Sequence, residues 1–231
     1  MRLDIFKPKA LPLFGLDISS SSVKMLEIVD AGKGAYRVER YAIEPLPREA
    51  VVDGNMNSLE TVVEAVKRCY KRLGTREKNV AMAVPTGAVI TKKIIVPAGL
   101  REEDLEVQVA AEANQYIPFA LEEVNLDFQV VGPSPASPEE QEVLIAATRK
   151  EKVEDRVAVA ESAGLKPIVM DIESFAQQSA LELVWKALPG GGKDQNIAIV
   201  DVGATVMNVS VLRNENSVYT REQAFGGNQL T

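Results

Sequence analysis

Two segments of this 231-residue chain share one pattern: an apolar strand ends on an aspartate, and a tight turn of small residues leads into a second strand-forming run. The first segment covers residues 13–24 and contains Asp17; the second covers residues 197–208 and contains Asp201. Such a turn points several backbone N–H groups at one position, which suits a phosphate. The aspartate can hold Mg²⁺ beside that phosphate, usually through water. One hairpin of this kind most often only reverses the chain, but two predict a duplicated scaffold that binds a nucleotide between its halves.

The composition limits the chemistry that the chain can perform. A hydrophobic share of 46% is enough for one or two cores, and a net charge of −7 argues against a nucleic-acid binder. The chain has no histidine, which excludes imidazole bases, Ser-His triads and His-ligated zinc. The single cysteine, Cys69, falls on the apolar face of a predicted helix and indicates a core position. No apolar run approaches the ~20 residues of a membrane span, so we expect a cytoplasmic chain.

Hydrophobic periodicity predicts an α/β chain in which a separate module interrupts the main unit. The first hairpin continues into a strand at 36–43, a helix between Ser58 and Gly74, and a buried strand at 79–84. The module over 86–164 contains strands at 89–96, 124–131 and 143–148, and helices from Arg101 and over 152–163. A strand at 166–172 and a helix at 173–188 precede a Pro-Gly-Gly-Gly linker.

Two of these helices carry apolar stripes that predict which face is buried. In the helix that begins near Arg101, the stripe consists of Leu105, Val109, Ala113 and Tyr116, with Pro118 as the end. In the helix over 173–188, which we expect to pack on a sheet, the stripe consists of Ala176, Ala180, Leu183, Val184 and Ala187.

The order of the elements resembles the actin-like ATPase superfamily. Within it, three segments are similar to the PilM family of type IV pilus assembly proteins: residues 15–24, 112–119 and 122–128. The Glu-Ala-x-Gln-Tyr-Ile-Pro-Phe run at 112–119 is the most specific of them, whereas either hairpin alone indicates only the superfamily. The alternative for this run is a packing corner of the module. The resemblance covers residues 11–231.

This resemblance implies an α/β, actin-like ATPase fold with ribonuclease H-like subdomains, an FtsA-type 1C insert and an incomplete second domain. Subdomain 1A would comprise residues 1–85 and 165–188, and the partner-binding insert 1C would comprise 86–164. A linker at 189–195 would lead to the start of domain 2 at 196–231. Because PilM-like proteins continue past the second hairpin, the resemblance also implies that this chain lacks the C-terminal part.

The resemblance further assigns ligands to the two hairpins. Asp17 and Asp201 would hold Mg²⁺, and Lys24 would lie near the phosphates of ATP. Ser19 replaces the usual glycine, and Asn208 replaces the aspartate that commonly closes the second loop, so each hairpin has a purely structural turn as its alternative. The predicted nucleotide-binding residues are Asp17, Ser19, Ser20, Ser21, Lys24, Asp201, Gly203, Ala204, Thr205, Asn208, Gly226 and Gly227.

Glu173 is the predicted catalytic residue. Heat-shock chaperone ATPases of this superfamily carry a glutamate at the comparable strand-helix junction, where it can orient a water toward the γ-phosphate. The alternative is that a glutamate in the first turn of a helix only complements the helix dipole.

By resemblance, the chain is an ATP-binding adaptor of type IV pilus assembly, cytoplasmic and peripheral to the inner membrane, with weak or absent hydrolysis. In PilM-like proteins, a groove between 1A and 1C receives the cytoplasmic tail of the membrane protein PilN. PilN, other pilus components and further copies of the chain are the expected partners, with membrane contact only through them. The alternatives are an FtsA-like division adaptor and an active ATPase or kinase of the same superfamily. Residues 116–119 favour PilM over FtsA.

Overall fold

The computed structural model describes residues 11–32, 34–185 and 187–230 of the chain. Its α-helices are α1 (Leu59–Leu73), α2 (Glu102–Ala113), α3 (Lys150–Ser162) and α4 (Glu173–Trp185). Its strands are β1 (Phe14–Ile18), β2 (Ser22–Gly32), β3 (Ala35–Pro45), β4 (Val51–Val52), β5 (Asn55–Met56), β6 (Asn79–Val84), β7 (Val89–Pro97), β8 (Val124–Pro133), β9 (Glu140–Arg149), β10 (Lys166–Ile172), β11 (Asn196–Val202), β12 (Met207–Arg213) and β13 (Asn216–Gln223). No helix within these ranges is both long and apolar enough to cross a lipid bilayer.

The main sheet has five strands in the order β10-β6-β1-β2-β3. Because β1, β6 and β10 are parallel, the Asp17 end of β1 lies at the same edge as the C-terminal ends of β6 and β10. Helices α1 and α3 pack together over this sheet and bury Val62, Val66 and Val159 completely. Helix α1 ends at Gly74, whose φ of 69° is a left-handed conformation that glycine adopts without strain.

Several local predictions for the main unit are confirmed. The strands predicted at 79–84 and 166–172 are β6 and β10 with the same bounds. Cys69 is fully buried against the main sheet, as its position on the apolar face of α1 predicts. Burial, followed by the charge of Glu44, raises the pKa of the Cys69 thiol to about 11. The thiol is therefore an inert part of the core.

The insert is a three-stranded antiparallel sheet in the order β7-β9-β8. Helix α2 packs on one face, where its Val109 shares the buried insert core with Val143 and Ile145 of β9. The expected boundary at residue 164 places α3 with this insert. However, α3 contributes its buried Val159 and Ala160 to the core of the main sheet, so this helix packs as part of the main unit.

The predicted stripe of α2 is correct only in part. Leu105, Val109 and Ala113 are buried, but the helix ends at Ala113 and Tyr116 lies beyond it in a turn, 44% exposed. The following Ile117 is buried in the insert core. Lys92 and Arg149 lie over the rings of Tyr116 and Phe119, at 5.0 Å and 5.4 Å from the ring centroids. The run therefore forms a packing corner of the insert, with its two aromatic rings facing cations.

The predicted burial of α4 is wrong. The helix ends at Trp185, which is its one buried side chain among the described residues, while the predicted apolar stripe is exposed. The helix contacts β6 and β10, but its apolar face does not lie on them. Regular spacing shows that these side chains share a face, and it cannot show that another element covers that face. The exposed stripe residues are Ala176, Ala180, Leu183, Val184 and Ala187.

A three-stranded antiparallel sheet, β11-β12-β13, follows the predicted linker. The linker itself is packed. Residues Pro189–Gly192 form a short 3₁₀ turn, and Gly192 lies against the buried Trp185 at the end of α4. A Cβ atom at Gly192 would approach the indole ring to 2.7 Å. Glycine at this position therefore allows the turn to lie directly on the helix end.

Candidate functional site

The two Asp hairpins meet, although they are 185 residues apart in sequence. The hydroxyl of Thr205 donates a hydrogen bond of 3.2 Å to the hydroxyl of Ser20. Asp17 is the residue before the last one of β1, and Asp201 is the residue before the last one of β11. The structure thus brings both predicted phosphate loops, one from each sheet, to a single place.

In the first hairpin, Lys24 pairs with the predicted ligands around it. Its Nζ lies 2.7 Å from Oδ2 of Asp17 and 3.3 Å from the hydroxyl of Ser19, and Lys24 and Asp17 are direct partners in β2 and β1. Both charged side chains are 47% exposed, so the pair contributes roughly 0–1 kcal/mol and an incoming phosphate or Mg²⁺ can replace it. The Ser19 N–H donates to the carbonyl of Ser22, and the Ser21 carbonyl accepts from the Leu46 N–H, which fix the turn.

The second hairpin is braced by the chain segment that follows β13. The N–H of Gly227 donates to the carbonyl of Gly203, and the N–H of Asn228 donates to the carbonyl of Ala204, at 2.9 and 3.0 Å. Gly226 lies so close that a Cβ atom there would come within 2.5 Å of the Ala204 carbonyl. We predicted Gly226 and Gly227 as nucleotide-binding residues, and the structure places both directly against the loop backbone.

Asn208 lies on the face of the second sheet rather than on the loop rim. It is 6% exposed, and it sits opposite Asp201 on β11 and Glu222 on β13, so these three oxygen-bearing side chains form one row across the sheet. Its Oδ1 has no hydrogen-bond partner within the described ranges. A buried acceptor without a donor is costly, which makes it a position where a ligand, water or ion would be stabilised.

Glu173 is the first residue of α4, directly after β10. Burial raises the pKa of its carboxyl above the ordinary range, and the negative charge of Asp17 and, more weakly, that of Asp201 raise it further. The cation of Arg156 and a backbone hydrogen bond from Thr86 oppose this shift. Glu173 begins α4 at the sheet edge where β1 ends, one turn before Gln177, whose amide contacts Asp201, so it lies beside the cleft between the two hairpins.

The raised pKa of Glu173 predicts a pH-dependent stability. Because the folded protein binds this proton more tightly than the unfolded chain does, the carboxyl destabilises the fold as pH rises through the folded-state pKa. Glu173→Gln should therefore stabilise the protein near neutral pH, by about 1.4 kcal/mol for each unit of the shift, and by nothing below the ordinary value of 4.5. Urea unfolding of both proteins across this range measures the difference. Equal stability at neutral pH would contradict the prediction.

The first two turns of α4 make contacts that the sequence analysis missed. The amide of Gln177 donates to Oδ2 of Asp201 at 2.7 Å, and the amide of Gln178 donates to the carbonyl of Glu215 at 2.6 Å. The N–H of Ser174 donates to the hydroxyl of Thr86, at the entrance of the insert. The signal in the sequence was the adjacent pair of glutamines in the first half of this helix.

A groove lies beside this cleft, between the insert and the main unit. Its first part is a cavity of about 410 Å³. One wall is the insert face opposite α2, with Leu144 and Ala146 of β9, and the other includes Ile172 and Phe175 at the β10-α4 junction. A second cavity of about 760 Å³ shares Leu144, Ile172 and Phe175 with the first and continues to β13. The two cavities therefore form one continuous groove.

Comparison with known proteins agrees with this architecture. A solved structure described as the PilM-PilN type IV pilus biogenesis complex matches 96% of this chain and 64% of that chain, with 27% identity and a TM-score of 0.81. The ethanolamine utilization protein EutJ from Carboxydothermus hydrogenoformans matches with 15% identity over 94% of this chain and 53% of its own, at a TM-score of 0.51. The cytoplasmic domain of Vibrio cholerae EpsL, an inner membrane component of the type II secretion system, matches with 11% identity over 92% and 71%, at 0.53.

At such low identities the last two likenesses show the fold alone, and the predicted actin-like ATPase fold is confirmed. The chain spans less than two thirds of the length of the PilM-PilN chain that it matches, namely 64%. Over residues 15–231 the sequence matches the family described as type IV pilus assembly protein PilM. The chain therefore belongs to the PilM family of type IV pilus assembly proteins.

Proposed function

We propose that this chain is the nucleotide- and peptide-binding part of an adaptor for type IV pilus assembly. It binds Mg·ATP between the two Asp hairpins and the cytoplasmic tail of PilN in the groove beside the insert. The observation that carries this proposal is the contact between Ser20 and Thr205, because it joins two phosphate-type loops from separate sheets at one cleft. Through PilN, the adaptor would act at the cytoplasmic face of the inner membrane.

The residues around the cleft suit a magnesium nucleotide. Within the described ranges, no group of three or more Asp, Glu, His or Cys side chains forms a preorganised metal centre. Mg²⁺ with a nucleotide needs no such centre, because one or two carboxylates and the phosphates themselves usually hold it. Asp17 and Asp201 would supply these carboxylates, and the backbone of the second loop after Gly203, at Ala204 and Thr205, would supply N–H donors. When bound, the ion neutralises phosphate charge.

The cleft favours nucleotide binding over fast hydrolysis. Asn208 lies opposite Asp201 in the second sheet and carries an amide, so this part of the site has one negative charge fewer than an aspartate there would give. Glu173 is the candidate to orient a water molecule, but burial and the charge of Asp17 raise the pKa of its carboxyl, which disfavours the ionised form. We therefore propose that ATP acts mainly as a conformational clamp between the two sheets.

The groove suits an extended apolar peptide. Its walls present Leu144, Ile172 and Phe175, and its two cavities together provide enough continuous volume for several side chains. Asp127, Asn125 and Gln129 lie on the same insert face and can accept or donate hydrogen bonds to a peptide. The similar solved structure is a complex that contains PilN, which supports the PilN tail as the peptide.

One calorimetric experiment tests both parts of the proposal. Mg·ATP and a synthetic PilN tail are titrated separately into the chain, into Asp201→Ala and into Leu144→Asp. We expect Asp201→Ala to lose nucleotide binding and to bind the peptide with unchanged affinity, because Asp201 lies in the cleft and not in the groove. Leu144→Asp should lower the affinity for the peptide at least tenfold, because it places a charge in an apolar wall of the groove, and should leave the affinity for Mg·ATP unchanged.

Ile95→Asp is the matched control for the groove. Ile95 lies on the same face of the insert sheet as Leu144, is 51% exposed and lines neither cavity. It should leave both affinities unchanged. If wild-type protein gives no heat with Mg·ATP at millimolar concentration, the proposed nucleotide binding is wrong. If Leu144→Asp and Ile95→Asp lower the affinity for the peptide equally, the proposed binding of the peptide in the groove is wrong.

A further inference from the structure

Helix α4 carries a polar face toward the cleft that consists of Glu173 and, one turn later, Gln177. The two residues are four positions apart, so their side chains lie above one another on the helix surface. Glu173 interacts electrostatically with Asp17 and Asp201, and the Gln177 amide reaches Asp201 directly at 2.7 Å. The main unit therefore contacts the second hairpin directly through the Gln177 amide.

The Gln177 bond fixes the orientation of the Asp201 side chain. The amide donates to Oδ2, which leaves the Oδ1 atom of the same carboxylate available for another partner. A side-chain amide can hold a carboxylate in this way without adding charge of its own, whereas a glutamate would repel it and a lysine would neutralise it. This matters at Asp201 because a metal ion requires the negative charge to stay available.

From this geometry we infer that Gln177 is a positioning residue for Asp201, which holds the carboxylate in the orientation that receives the nucleotide-bound Mg²⁺. The inference rests on the proposed function, since it assigns the metal-dependent part of nucleotide binding to one contact between α4 and β11. Gln177 itself touches neither the metal nor the phosphates. Its effect should therefore appear in the Mg²⁺ dependence of ATP affinity.

The neighbouring residue provides a matched control. Gln178 also donates a side-chain amide hydrogen bond from α4 to the second sheet, but its acceptor is the backbone carbonyl of Glu215 rather than a carboxylate. Gln177→Leu and Gln178→Leu thus remove similar bonds between the same two units, with the same loss of amide and gain of apolar surface. Only the first change affects Asp201.

The test is the affinity for ATP, measured by calorimetry with Mg²⁺ and with EDTA, for wild type and both leucine variants. We expect Gln177→Leu to lower the affinity for Mg·ATP about tenfold or more, because a hydrogen bond to a charged group is lost. The affinity for metal-free ATP should fall less than about twofold. Gln178→Leu should change neither affinity by more than about twofold. Far-UV circular dichroism and thermal unfolding establish that each variant is folded.

A second variant keeps the test independent of lost packing. Gln177→Glu has nearly the same shape but replaces the donating amide with a carboxylate that repels Asp201, so it should weaken the affinity for Mg·ATP at least as much as Gln177→Leu does. Equal effects of the two leucine variants, or equal loss with and without Mg²⁺, would overturn the inference and leave the proposed function standing. Wild-type protein that binds ATP under neither condition would overturn both.

Discussion

Replacing Gly226 with alanine is expected to remove Mg·ATP binding almost completely. A Cβ atom at this position would lie 2.5 Å from the carbonyl carbon and oxygen of Ala204 and 2.6 Å from the nitrogen of Thr205. These neighbours are backbone atoms, so no side-chain rotation can relieve the overlap. The φ angle of Gly226 is −157°, which any residue adopts, so the effect is a steric one. The second loop must move, and its alignment with the first loop is lost.

The measurement is calorimetric titration of Mg·ATP, with an expected loss in affinity of at least about a hundredfold, since more than one contact to the phosphates is displaced. Gly227→Ala is the control, because its Cβ atom would meet nothing closer than the Gly203 carbonyl at 3.8 Å, an ordinary contact. This variant should therefore lose far less affinity than Gly226→Ala does. Unchanged affinity in Gly226→Ala would show that the second loop does not hold the nucleotide.

Replacing Arg156 with methionine is expected to lower the free energy of unfolding by about 2–4 kcal/mol. Arg156 of α3 is 2% exposed, and its guanidinium donates to the carbonyls of Gly54, Ala83 and Lys152. Methionine has a similar length but no donors, so it would leave buried carbonyl groups without partners. The change also removes the cation that opposes the raised pKa of Glu173.

Urea unfolding at neutral pH measures this effect, and Arg37→Met is the control. Arg37 is 69% exposed and pairs with Glu39 on the surface of β3, so its replacement should cost less than about 1 kcal/mol. Arg156→Lys should fall between the two, because lysine keeps the charge but cannot reach three carbonyls at once. A loss for Arg156→Met no larger than that for Arg37→Met would contradict the structural role.

Local sequence patterns were sufficient for most elements of the fold. β6 and β10 were predicted with the observed bounds because each is a short run of mainly apolar residues, and α1 because Ser58 and Gly74 mark its two ends. The two Asp hairpins were also visible as a repeated pattern. In each of these cases, the information lies within about a dozen consecutive residues.

The polar contacts of the site were not visible in the same way. Arg156 bonds to residues 73 and 102 positions earlier, and Gln177 to a residue 24 positions later. Each of these side chains alone looks like an ordinary polar residue of an amphipathic helix. The burial of α4 failed for a related reason, because its apolar spacing gives no information about what lies opposite. Such features depend on how distant segments meet, which periodicity does not record.

The insert joins the main unit at two neighbouring points of the chain. The chain leaves the main sheet after β6 and returns through β9 into α3, and these two crossings are adjacent because Val89 pairs with Thr148 and the Thr148 hydroxyl donates to the Ala88 carbonyl at 2.8 Å. Whatever lies between two such neighbouring points adds little strain to the main sheet. Exchanging the insert for another small module that joins at the same two points should therefore leave the main sheet and the cleft unaltered.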